Sequence, residues 1–111
     1  MKIGVLDSDG NFDNLFFKDK NLKILRVNNI KDININQSTH GEYVCSHIFR
    51  ENPDVEIFLV PVIKYNMKCS VQDLIKGINL LIDCKVDIIN MSIGNEYKYH
   101  RELEEVCRRA W

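Results

Sequence analysis

Apolar runs alternate with segments of helical period along the chain. Lys2–Leu6 is a short strand-like run that closes on Asp7-Ser8-Asp9-Gly10, a cluster of turn residues. Asn11–Asn21 is polar around Leu15-Phe16-Phe17 and predicts a loop whose aromatic residues pack back. Leu22–Val27 predicts a second strand, and an Asn- and Ile-rich stretch without a clear period runs on to Ser38. His40–Glu51 predicts a helix, with Val44, Cys45, Ile48 and Phe49 on one side and Pro53 ending it. Val55–Ile63 is the most apolar run. It is rich in β-branched residues and too continuous for a half-exposed strand.

Ser70 is a candidate N-cap with Asp73 three residues on, close to a capping box. Val71, Leu74, Ile75, Ile78 and Ile82 then follow at helical spacing. Val86–Met91 predicts another buried strand, Ser92–Asn95 a turn, and Glu96–Ala110 a helix with Leu103, Val106, Cys107 and Ala110 inward. Trp111 carries no glycine cap or other exit signal, so the chain is expected to be cut inside or at the end of an element. Strands alternating with helices predict a three-layer α/β domain whose four strands are mostly parallel. At 111 residues there is room for one such domain, spanning 1–111.

Composition narrows the function. A net charge of −1 provides no basic field for nucleic acid or an anionic membrane. No apolar run approaches the ~20 residues of a transmembrane helix. The four cysteines (Cys45, Cys69, Cys84, Cys107) form no CxxC, and three lie in helix-like segments beside apolar residues. They read as buried free thiols in a reducing compartment. Because Met1 leads directly into strand-like sequence without a signal-peptide pattern, a cytoplasmic location is expected. No acidic cluster has the oxygen count of a calcium loop, and no metal or cofactor is predicted.

Two positions carry candidate chemistry. Asp7 ends a central strand, where open α/β sheets place their ligands. His40 opens a helix and is followed by Gly41. Taken singly, an aspartate caps a turn and a histidine caps a helix. Together, 33 positions apart and followed by two more strand–helix units, they form a specific pattern.

That pattern resembles the subtilisin-like serine peptidases, the subtilases of peptidase family S8. Ile3-Gly4-Val5-Leu6-Asp7-Ser8 looks like the family's strand ending in its catalytic aspartate, and His40-Gly41-Glu42-Tyr43-Val44 is similar to its His-Gly-Thr-His-Val block. Glu56–Val62 resembles the third strand. Asp73–Ile78, leading to Val86-Asp87-Ile88-Ile89-Asn90-Met91-Ser92-Ile93-Gly94, is the closest match. The resemblance implies the N-terminal half of a three-layer subtilisin-like fold, an incomplete peptidase domain with strands in the order second, third, first, fourth. It implies that His40 is a general base oriented by Asp7, and that Ser92, Ile93 and Gly94 bind an extended peptide by strand addition. Glu42 and Tyr43 depart from the family's Thr-His, and Asp9 stands where the family has glycine. A second carboxylate beside Asp7 would raise the cost of ionising both.

The family's nucleophile lies in a Gly-Thr-Ser-Met-Ala-type block, and none of Ser8, Ser38, Ser46, Ser70 or Ser92 sits in one. The oxyanion asparagine has no counterpart either, so the isolated chain is expected to lack peptidase activity. The expected partners are a peptide or protein substrate for an active full-length enzyme, and a second copy of the chain across the apolar strand edge Val86–Met91.

Other classes fit less of the chain. A phosphotransfer receiver needs an aspartate at the end of its third strand, where Val60-Pro61-Val62-Ile63 stands. Asp7-Ser8-Asp9-Gly10 fits the Asp-x-Asp-Gly signature of haloacid-dehalogenase-like phosphatases, which leaves His40-Gly41 unexplained. A non-catalytic subtilase-like relic or peptide-binding module uses the same residues without turnover.

Overall fold

The structure is a computed structural model that describes residues 1–27, 40–63, 69–91 and 101–111. Among the described residues, four strands, β1 (Lys2–Ser8), β2 (Asn21–Ile24), β3 (Glu56–Ile63) and β4 (Ile88–Met91), form a single parallel sheet in the order β2-β3-β1-β4. This is the order the family resemblance implies. It differs from the 2-1-3-4-5 order of receiver domains, because β3 lies between β2 and β1.

Among the described residues, α1 (His40–Glu51) and α2 (Val71–Asp83) pack on the sheet and α3 (Arg101–Ala110) packs against α2. Successive strand residues point to opposite faces, so each continuous apolar run supplies two cores. Val5, Ile57 and Leu59 pack on one face with Phe17, and with Cys45 and Phe49 of α1. Leu6, Phe58, Val60 and Val62 pack on the other with Leu74, Ile78 and Leu81 of α2 and Val106 of α3. The Phe12, Phe16 and Phe17 rings of the β1–β2 connection meet edge to face and close over the α1 layer.

The ends of α1 and α2 follow local chemistry. Ser70 takes extended backbone geometry and its Oγ accepts the Asp73 N–H at 3.1 Å, satisfying one of the donors that a helix start leaves open. Asn52 follows Glu51, and Pro53 cannot continue α1. Gly77 lets α2 approach the sheet: a Cβ there would stand 2.7 Å from Leu6 Cδ2. Leu81, absent from the periodic set that marks α2 in the sequence, is fully buried over Gly4.

Several expectations change at the sheet's margins. β2 ends at Ile24, although Leu25 N–H still bonds the Leu59 carbonyl at 2.8 Å. β4 begins at Ile88 and is half-exposed rather than buried, because it pairs only with β1 among the described strands. Its entry is tied to β1 by Asp87 N–H bonding the Lys2 carbonyl, while Lys2 N–H bonds the Asp87 carboxylate, both at 2.8 Å. In α3, Val106 is buried but Cys107 and Ala110 are exposed, since their face lines an open groove beside β4. No disulfide joins the four cysteines, and only Cys45 is buried.

The fully buried Leu81 provides a direct check on this packing. Leu81→Ala is expected to lower unfolding free energy by about 3 kcal/mol, whereas Leu15→Ala, on a side chain 85% exposed, changes it little. Urea denaturation of both variants measures the difference.

Candidate active site

Asp7 lies at the C-terminal end of β1, two residues beyond Val5, and so on the α1 side of the sheet. Across the ladder it faces Pro61 of β3, and the register shifts between Asp7 and Ser8 as the strand leaves the sheet. The side chain is fully buried. His40, the first residue of α1, brings its Nδ1 to 2.9 Å from Asp7 Oδ1 and 3.0 Å from Oδ2. The buried carboxylate therefore meets a ring that is half-exposed, with 52% of its side-chain surface open. A carboxylate in its ionised form only accepts hydrogen bonds, and against it Nδ1 would be the donor, leaving Nε2 as the nitrogen with a lone pair in a neutral ring.

The contacts that hold this pair are short and local. Ser8 N–H bonds Asp7 Oδ1 at 2.7 Å, and the Ser8 hydroxyl accepts the Gly41 N–H at 2.9 Å. Glycine is required at 41 because a Cβ would fall 1.9 Å from the Ser8 carbonyl oxygen, a backbone atom with no room to move. Within the first turn of α1, Glu42 Oε1 accepts the Asn11 N–H at 2.9 Å. Asp9, the second carboxylate of the turn, accepts the Gly10 N–H at 2.9 Å and pairs with Arg26 Nη1 at 2.7 Å. The cost expected from two neighbouring carboxylates is thus met by a guanidinium delivered from beyond β2.

Cys45 lies one turn further along α1, fully buried. Burial first, and then the negative charge of Asp7, push its thiol up from an ordinary 9.0 to about 12. It is a neutral packing group and no nucleophile at physiological pH.

Of the residues singled out from sequence, Asp7 and His40 come together, while Ser92, Ile93 and Gly94 lie outside the described residues. Arg26 was missed: an ion pair across 17 positions, spanning the width of β3, leaves no local signal. Glu42 and Asp9 were visible only as departures from the family blocks. Both carboxylates of the Asp-x-Asp pair are engaged by basic side chains, His40 on Asp7 and Arg26 on Asp9, the opposite of what an acidic magnesium site needs.

At the end of its central strand this parallel α/β sheet carries a buried aspartate hydrogen-bonded to a histidine at a helix start. The chain belongs to the subtilase family, whose sequence model matches residues 1–110. Among solved structures it is similar to the prenylagaramide maturation protease PagA, with a TM-score of 0.76 and 23% identity, covering 98% of this chain and 41% of that one. The chain thus spans less than half of that neighbour's length. No curated protein matches the sequence.

The Cys45 thiol makes folding stability depend on alkaline pH. Its folded-state value lies above the unfolded one, so the unfolded chain loses this proton first. Stability is fully retained below pH 9 and declines as pH rises towards 12, by up to about 1.4 kcal/mol per pH unit. Thermal unfolding between pH 8 and pH 11 is expected to show a shallower decline in Cys45→Ala than in the unmodified chain.

Proposed function

We propose that Asp7 and His40 are the orienting carboxylate and the general base of a subtilisin-like serine endopeptidase. The observation that carries this reading is the 2.9 Å contact between His40 Nδ1 and a fully buried Asp7 carboxylate. With Nδ1–H held by Asp7, His40 Nε2 takes the proton of a serine hydroxyl as that oxygen attacks the scissile carbonyl. It then returns the proton to the leaving amine, while Asp7 stabilises the imidazolium formed between the two steps. The 111 residues contain no Gly-Thr-Ser-type block. On this reading the chain by itself lacks the nucleophile and the oxyanion donor and has no peptidase activity. Loss of the nucleophile costs on the order of 10⁶-fold in turnover. The strand β4 leads into Ser92-Ile93-Gly94, which would pair with the backbone of an extended peptide substrate.

Fluorophosphonate labelling and peptide hydrolysis test this on the 111-residue chain and on the native gene product. The 111-residue chain is expected to remain unlabelled. A native product that carries the serine is expected to label, and to lose labelling in His40→Ala, with Asp7→Asn reducing turnover by roughly 10⁴-fold. Labelling that survives His40→Ala sinks the assignment.

A second reading, a binding module with the same fold, is favoured by the surface beside β4. Ile88 is 51% and Met91 43% exposed, and Trp111 is fully so. They border a groove of about 640 Å³ lined by Ile78, Ile82, Val86, Ile89 and Cys107. An open apolar strand edge recruits another chain. On this reading two copies pair through β4, and sedimentation velocity at high micromolar concentration is expected to show a dimer that Ile88→Lys abolishes. A strictly monomeric species under those conditions removes this reading.

A further inference from the structure

The Asp7–His40 bond forms between two elements far apart in sequence, one of them a half-exposed histidine at the first position of its helix. A helix start frays readily, because its first N–H groups have no partners within the helix. Here that start is gripped from the side by the turn that follows β1. Ser8 Oγ takes the Gly41 N–H, Gly10 lies against Glu42, where a Cβ at Gly10 would stand 2.8 Å from Glu42 Cβ, and Glu42 Oε1 takes the Asn11 N–H. Arg26 holds the far side of the same turn through Asp9 at 2.7 Å. The two segments 8–11 and 40–42 therefore interlock, and the triad pair sits directly beneath the interlock.

We infer that Glu42 is a positioning residue. Its carboxylate ties the turn after Asp7 to the first turn of α1, so that His40 is held on Asp7 by this chain's own residues. This rests on the reading of Asp7 and His40 as the catalytic pair, and extends it to a residue that touches neither substrate nor the reacting atoms. Glu42 acts from the rim of the interlock, where it can be altered without opening either core. The acceptor oxygen matters and the charge does not: any side chain that reaches Asn11 N–H with an oxygen keeps the turn closed. The grip is made by residues of this chain alone.

The test uses the low-field proton NMR signal of His40 Nδ1–H, assigned by its loss in His40→Gln, on the full chain. Glu42→Met keeps the methylene stem against Gly10 and removes the acceptor; Glu42→Gln keeps an acceptor oxygen. In Glu42→Met the Nδ1 proton and the Asn11 amide are expected to exchange with solvent roughly three- to tenfold faster, the factor carried by one net hydrogen bond. Glu42→Gln is expected to match the unmodified chain. A Glu42→Met variant with unchanged exchange overturns the inference, as does a Gln variant that behaves like Met. Should Glu42→Met fail to fold, exchange in the unmodified chain still decides: the Asn11 and His40 Nδ1 protons must open together, and independent opening overturns the proposal. The readout is separate from turnover. A signal that responds to Glu42 in a native product that never labels upholds the brace and sinks the peptidase reading; labelling with an unresponsive signal does the reverse.

Discussion

The approach of Gly41 to the Ser8 carbonyl is the constraint on which the rest of the site depends. No residue with a Cβ can stand there, because that carbon would overlap a backbone oxygen at 1.9 Å. With glycine in place, α1 begins directly against the end of β1, and its first residue is carried to the buried carboxylate. The Ser8 hydroxyl then satisfies the Gly41 N–H in an environment where an unpaired donor would be costly. One close contact thus sets the helix position, the hydrogen bond and the histidine placement together.

Burial of Asp7 follows from the same geometry. As the central strand, β1 is paired on one side by β3 and on the other by β4, so its end is shielded where an edge strand's would not be. A buried carboxylate needs partners, and here it has the Ser8 amide and the His40 ring. The start of α1 adds the positive end of a helix dipole beside the negative charge. Cys45 supplies a small neutral group in the next turn, and Arg26 neutralises Asp9 without touching Asp7. The environment is thus arranged to aim one carboxylate at one nitrogen.

The sheet is less symmetric than its core. β3 and β1 are covered on both faces, whereas β2 exposes Asn21 and Lys23, β4 is short and half-exposed, and α3 turns one apolar face into an open groove. The chemistry of the site and the exposed apolar surface therefore lie on neighbouring strands, β1 and β4. Whatever adds to the β4 edge arrives next to the strand that carries Asp7.

Much of this was legible in the residues themselves. The continuous β-branched run Val55–Ile63 marks a strand buried on both faces, and Leu74, Ile78 and the Ser70 cap mark α2 by local rules of period and hydrogen bonding. Asp7 and His40 were legible because a strand-end carboxylate and a helix-start histidine followed by glycine occur in a recognisable order. The sequence could not show that β4 would be half-exposed, that Cys107 and Ala110 would face a groove, or that Arg26 would reach Asp9. Exposure at an edge depends on which elements remain to cover it, and an ion pair across β3 depends on strand order. Periodicity determines which face of an element is apolar; only the packing of several elements decides whether that face is covered and which distant charges meet.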